Sequence, residues 1–277
     1  MNYYKKFARN IYSQNGDDGV IEKLFEDLQI TSGTVLDVGA SYPVHRSNTF
    51  NLWRNKGFEA ILVDPDPKCF QQLKLASLNN DNVELISNPV KIKGKEDTID
   101  EILRKSDFDT SEESLALIDI DVDGLDYLLF ESIKEHRPKI IVVEIDSGAA
   151  IDDESIGSLL STKKLAEDKK YKLVFCNGNA YFVRDDLVKM LPHQDFDYEE
   201  LYKTGPAICE DWYQTLDSRG VSCSYEACQS VPGDSHIHRI VDDKPMTRYY
   251  HLSTDMTTIA HRELKLIVDE YNKGKAI

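Results

Sequence analysis

The stretch Tyr171-Lys-Leu-Val-Phe-Cys-Asn-Gly-Asn-Ala-Tyr-Phe-Val-Arg184 decides the fold. Two runs of strand-forming residues, Tyr171–Cys176 and Ala180–Arg184, flank Asn177-Gly178-Asn179, a turn that admits positive φ. Strands joined by so short a connection must be antiparallel, because a parallel return needs a long crossover.

Upstream of this hairpin, strand and helix patterns alternate. Strands are predicted at 34–38, 59–63, 82–86, 115–121 and 139–145. Helices are predicted at 17–29, 48–56, 67–78, from the fourth strand to about 135, and at 159–168. Such alternation predicts an α/β fold, a doubly wound and mainly parallel seven-stranded sheet closed by the antiparallel hairpin. Residues 1–33 read as an N-terminal arm and helix, 34–187 as the core, and 188–277 as a C-terminal extension. The extension carries Pro192, Pro206, Pro232 and Pro245, five of the seven histidines, and a helical pattern at 257–271. It reads as a cap over the mouth of the sheet or as an oligomerisation element, the latter implying a homodimer.

The chain has 277 residues, enough to bury a core without disulfides or metal staples. Its 33 basic and 49 acidic residues give a net charge of −16, which argues against nucleic acid as a partner. The N-terminus lacks the apolar core of a signal peptide, and no window reaches the ~18 apolar residues of a membrane span. Five widely spaced cysteines read as reduced thiols. The expectation is a cytoplasmic protein with no membrane partner.

In an open α/β sheet ligands bind beyond the carboxyl ends of the strands, where strand order reverses. The first strand ends Leu36-Asp37-Val38-Gly39-Ala40-Ser41. Gly39 permits close backbone approach, and Ser47-Asn48-Thr49 can cap the next helix. A single glycine does not make a pyrophosphate-binding fingerprint. The second strand ends Val63-Asp64-Pro65-Asp66, placing an acidic residue 25 positions after Gly39, where a carboxylate accepts the two hydroxyls of a ribose. The fourth strand ends Asp119-Ile-Asp121-Val-Asp123, and the fifth supplies Glu144 and Asp146. Carboxylates crowded on one edge repel unless a cation or proton separates them, so Mg²⁺ or Mn²⁺ is one reading and a solvated acidic rim the other. His45, just beyond Gly39, reads as a surface-loop histidine, with a place facing the cofactor or the substrate as the other reading. Cys223, Cys228, His236 and His238 do not have a usual zinc-finger spacing.

With these pieces placed, the sequence resembles the FkbM-like family of class I S-adenosylmethionine-dependent methyltransferases over residues 12–187. Seven segments carry the resemblance in order: Ser13-Gln-Asn-Gly-Asp-Asp-Gly19, Leu36-Asp-Val-Gly-Ala40, Ser47-Asn-Thr49, Val63-Asp-Pro-Asp-Pro67, Ile120-Asp-Val-Asp-Gly-Leu-Asp-Tyr127, Val143-Glu-Ile-Asp146 and Asn179-Ala-Tyr-Phe-Val183. It implies S-adenosylmethionine as cofactor, with Asp37, Gly39 and Ala40 on its methionine part, Asp64 on the ribose and Asp66 near the adenine. Gln14, Asn15, Gly16 and Asp18 would close over it, and Ser41, Asn48, Thr49 and Pro65 complete the set. The loop Ala40-Ser-Tyr-Pro43 and Asp64, where glutamate is commoner, depart from the family pattern.

The resemblance further implies O-methylation of a small-molecule or glycan acceptor, often a sugar. In the mechanism expected here, Asp121, Glu144 and Asp146 hold a divalent metal against a sugar diol, and Asp123 or a cap histidine accepts the proton. Asp121 and Asp123 are therefore the candidate catalytic residues. A metal-dependent glycosyltransferase using a nucleotide sugar is the alternative enzyme. A methyltransferase-like binding module without activity is the non-enzymatic alternative.

Overall fold

The computed structural model describes residues 3–43, 46–146 and 148–204, and the backbone of five further strands between 210 and 247. Its elements, in order, are α1 (Asp17–Asp27), β1 (Thr34–Val38), α2 (Phe50–Asn55), β2 (Glu59–Val63), α3 (Pro67–Ala76) and β3 (Val83–Ile86). Then follow α4 (Ile99–Lys105), β4 (Leu115–Ile120), α5 (Asp126–Ser132), β5 (Ile140–Glu144), α6 (Leu159–Asp168), β6 (Tyr171–Cys176), β7 (Asn179–Arg184) and α7 (Tyr198–Thr204). They build one seven-stranded sheet in the order β3-β2-β1-β4-β5-β7-β6. β1 to β5 run parallel, and β7 lies antiparallel between β5 and β6. This is the doubly wound class I methyltransferase fold, and its closing hairpin is the one the sequence predicts.

β1 and β4 are buried at every position, as expected of parallel strands covered on both faces. Alternation sends Val35, Ala60 and Leu62 to one face, where they pack with α1 (Leu24), α2 (Trp53) and α3 (Leu73). Leu36, Val38, Ile61 and Val63 go to the other, with α4 (Leu103), α5 (Phe130) and α6 (Leu159). The chain thus winds outward from β1 along one face and returns to β4 along the other. The strand order reverses between β1 and β4, and a crevice opens at their carboxyl ends.

Several boundaries differ from expectation for local reasons. The helix after β4 stops at Ser132 rather than near 135, because the N–H groups of Lys134, Glu135 and His136 turn to the Asp100 carboxylate. Asn179, expected in the turn, pairs with Glu144 as the first residue of β7, and Gly178 alone takes positive φ (+116°) in the turn. α4, seven residues long, is too short to show a helical apolar period in the sequence. Its signal is the capping box Thr98-Ile-Asp-Glu101, in which the Thr98 hydroxyl accepts the Glu101 N–H.

Beyond α7, β8 (Glu210–Asp217) and β9 (Gly220–Ala227) form an antiparallel pair. β10 (Gln229–Ser230), β11 (Ile237–Val241) and β12 (Lys244–Thr247) form a three-stranded antiparallel sheet. The helix expected at 257–271, His45 and the side chains of the C-terminal cysteines and histidines from Cys209 onward lie outside the described residues. No helix of the described residues is long and apolar enough to cross a membrane.

Candidate active site

A cavity of about 580 Å³ sits at the β1/β4 crevice, within the usual range for small-molecule sites. Gln14, Asp37, Gly39, Ala40, Ser41 and Asn48 of the predicted cofactor set line it, as do Asp121, Asp123 and Glu144. Asp119 of the strand-end carboxylates and Ser47 of the predicted cap line it too, and so do Tyr42 and Arg46, to which the sequence pattern gives no role.

The backbone around the crevice is drawn tight. Gly39 (φ +94°) and Ala40 both donate their N–H to the Val63 carbonyl at the end of β2, and Asp121 N–H donates to Val38. A Cβ on Gly39 would lie 1.8 Å from the Asp121 carbonyl oxygen, so only glycine fits where β1 meets β4. Ser41, Arg46 and Asp123, all lining the cavity, also have left-handed backbones. Such conformations concentrate where a ligand is held.

The floor is acidic. Asp37 accepts a hydrogen bond from the Thr49 hydroxyl, and Asp119 accepts one from Asn48 Nδ2 at 3.1 Å. Burial raises the Asp37 carboxyl to about 7, aided by Asp121 and Asp64 and opposed by the Thr49 hydrogen bond. Burial likewise raises Asp119 well above the usual carboxylate range, with Asp37 and Asp121 adding to it. Burial and the neighbouring Asp126 and Asp123 lift Asp121 to about 6, and burial with Asp121 lifts Glu144 to about 8. Five carboxylates and one basic side chain, Arg46, line this part of the described chain. It is built to receive positive charge.

The expected metal set Asp121, Glu144 and Asp146 is not the one the fold assembles. Asp121, Asp123 and Glu144 bring one carboxylate oxygen each to within 4.8 Å of one another. Asp146 is not in that group, and its Oδ1 accepts the Gly148 N–H at 2.9 Å. The strand stops at Ile120, so Asp123 reaches the group through a left-handed turn rather than by strand alternation. Asp126 fixes that turn by accepting the N–H of Val122 (2.7 Å) and Gly124 (2.8 Å).

Several predicted cofactor residues lie outside the cavity lining. Asp64 stands at the end of β2 with Oδ2 on the Ser41 N–H and Oδ1 on the Asp66 N–H, both at 2.8 Å. Asp66 caps α3 through the N–H groups of Lys68 and Cys69, and Pro65 is exposed between them. Thr49 reaches the site through Asp37. In the arm only Gln14 lines the cavity. Asp18 is buried, and its Oδ2 accepts the N–H of Ile11, Tyr12 and Ser13, each at 2.7 Å, which shapes the arm. Gly16 donates its N–H to Asn10 Oδ1, and the Asn15 carbonyl accepts from Asn177 Nδ2. Asp17, inside the same Ser13–Gly19 segment, ties the arm to the closing hairpin. Its carboxylate accepts from the Tyr181 hydroxyl, from Asn177 Nδ2 (3.0 Å) and from Asn179 Nδ2 (3.2 Å).

No family model matches the sequence, and no curated protein matches it. Solved structures similar to it include the methyltransferase FkbM from Methylobacillus flagellatus KT, at 16% identity and a TM-score of 0.39 over 55% of this chain and 44% of that one. M. jannaschii TYW2 in complex with AdoMet is similar at 14% identity and a TM-score of 0.35, over 59% of this chain and 75% of that one. The METTL16 methyltransferase domain shows 13% identity and a TM-score of 0.41, over 60% and 66%. The reading of the fold rests on the strand order itself.

Proposed function

We propose that the chain is an S-adenosylmethionine-dependent methyltransferase that transfers the methyl group to a hydroxyl of a sugar, glycan or glycosylated small molecule. The observation that carries this reading is the acidic cavity at the β1/β4 crevice, bounded by the Gly39 turn. S-adenosylmethionine supplies an electrophilic methyl group on a sulfonium, and it carries an ammonium besides. The donor set fits such a ligand. Asp37 and Asp119 are buried carboxyls that a cationic ligand would hold ionised, and Asp64, braced by two backbone N–H groups, keeps lone pairs for a ribose diol. The open backbone at Gly39–Ser41 lets the ligand approach between them.

The acceptor oxygen must be aligned with the methyl carbon and lose its proton as the bond forms. Asp121, Asp123 and Glu144 could do this by holding Mg²⁺ or Mn²⁺, which would orient a diol and lower its pKa. Asp121→Ala should then abolish methyl transfer to sugar acceptors while leaving S-adenosylhomocysteine affinity within a few-fold. Undiminished activity in the variant, or equal loss of both, would overturn this assignment. Labelled-methyl transfer with and without EDTA tests the metal separately.

A further inference from the structure

The opposite edge of the sheet carries a second cavity, of about 310 Å³, between the end of α5, the start of β5 and the end of α6. Phe130, Ile133, Ile141 and Tyr171, all buried, give it an apolar floor. Its remaining lining residues are Lys134, His136, Arg137 and Lys169, and no carboxylate is among them. In a chain of net charge −16, four basic groups around one small cavity run against the general field.

The existing partners leave donors over. Lys169 Nζ donates to the carbonyls of Ile133 (2.5 Å) and Glu131 (3.1 Å) at the end of α5, and Lys134 Nζ donates to Glu131 (2.7 Å). These contacts offset the half-charge of the helix end, yet two ammonium groups outweigh it. Three N–H bonds on each ammonium leave further donors. Arg137 bridges to Glu112 at 3.2 Å through one nitrogen of its fork. The His136 ring meets Asp100 through Nδ1 at 2.9 Å, leaving Nε2. The acids facing these groups are Glu112 and Asp186 at Arg137, Asp100 at His136 and Lys169, and Glu131 near Lys169.

We propose that this cavity binds an organic anion with an apolar body, an aryl or alkyl carboxylate. The apolar part would lie on Phe130, Ile133 and Ile141, and the carboxylate would meet Lys169, Lys134 and Arg137. The site lies beyond the amino ends of β5 and β6, so it is separate from the cavity at the carboxyl ends.

Anilinonaphthalene sulfonate, an aromatic anion, is a direct probe on the full chain. Its fluorescence should rise on binding, octanoate should displace it, and octanol at the same concentration should not. Arg137→Gln, which leaves the Lys169 contacts in place, should weaken the dye about tenfold, the loss of one charge-assisted bond. Lys169→Met should do the same or more, with a thermal melt to separate loss of binding from loss of fold. S-adenosylhomocysteine should leave the dye bound. No fluorescence rise, equal affinity in Arg137→Gln, displacement by octanol, or displacement by S-adenosylhomocysteine would each overturn the proposal. The dye reports on this cavity whether or not the other one takes S-adenosylhomocysteine.

Discussion

Asp100 ends a helix from a distance of 34 residues. Its carboxylate accepts the N–H groups of Lys134, Glu135 and His136 and faces the His136 ring. Burial alone would raise its pKa, but the His136 ring and these backbone donors outweigh that and hold it at about 2, below the ordinary 3.8. A depressed folded pKa means the contribution to stability is complete above about pH 4 and is lost as pH falls towards 2. Urea midpoints of the wild type should therefore drop through that window. Asp100→Ala should already be less stable at neutral pH, by about 1–3 kcal/mol for unpaired backbone donors, and should lose less on acidification. An acid limb of equal size in both proteins would contradict this.

Gly39 can be tested at the same scale. A left-handed backbone alone costs a residue with a side chain about 1–2 kcal/mol, and here the Asp121 carbonyl also blocks the Cβ. Gly39→Ala should lower the melting temperature and remove S-adenosylhomocysteine binding; binding of wild-type strength would refute the close approach. Gly39 and Asp64 were legible in the sequence because a strand end and its first turn are local. Asp123 was legible as a carboxylate but not as a partner of Glu144, since its place depends on a left-handed turn that no residue-type pattern announces.

Among elements, the arm and the hairpin are joined by Asp17. The contact to Asn179 spans 162 positions, so nothing near Asp17 in the chain signals it. The hairpin itself is written in fourteen consecutive residues, which is why its antiparallel closure was foreseen. Tyr181→Phe removes one donor to a buried carboxylate and should cost about 1–3 kcal/mol. Amide exchange in residues 9–19 should accelerate, while that of β4 should not, because the core strands remain packed. Unchanged exchange in the arm would show that Asp17 is not its anchor. α4 was missed for the opposite reason: a seven-residue helix shows too little periodicity, and only its capping box marks it.

Over the whole molecule, strand order follows from the alternation of elements and the hairpin, and the crevice follows from strand order. That much of the site could be placed before any contact was known. The acidity of the cavity is a property of the assembled fold. Asp37, Asp119, Asp121 and Glu144 stand at the ends of three strands, and burial in the assembled crevice, with neighbouring carboxylates adding to it, raises their pKa values. The central claim is that this cavity receives an adenosyl sulfonium ligand, and calorimetric titration with S-adenosylhomocysteine, first in Mg²⁺ and then in EDTA, tests it most directly. The account predicts one site of micromolar affinity, about −8 kcal/mol at 1 μM. It also predicts weakening of about a hundredfold or more in Asp64→Ala, for a lost pair of hydrogen bonds to a charged group of about 1.5–3 kcal/mol each. No heat of binding in either buffer would contradict it.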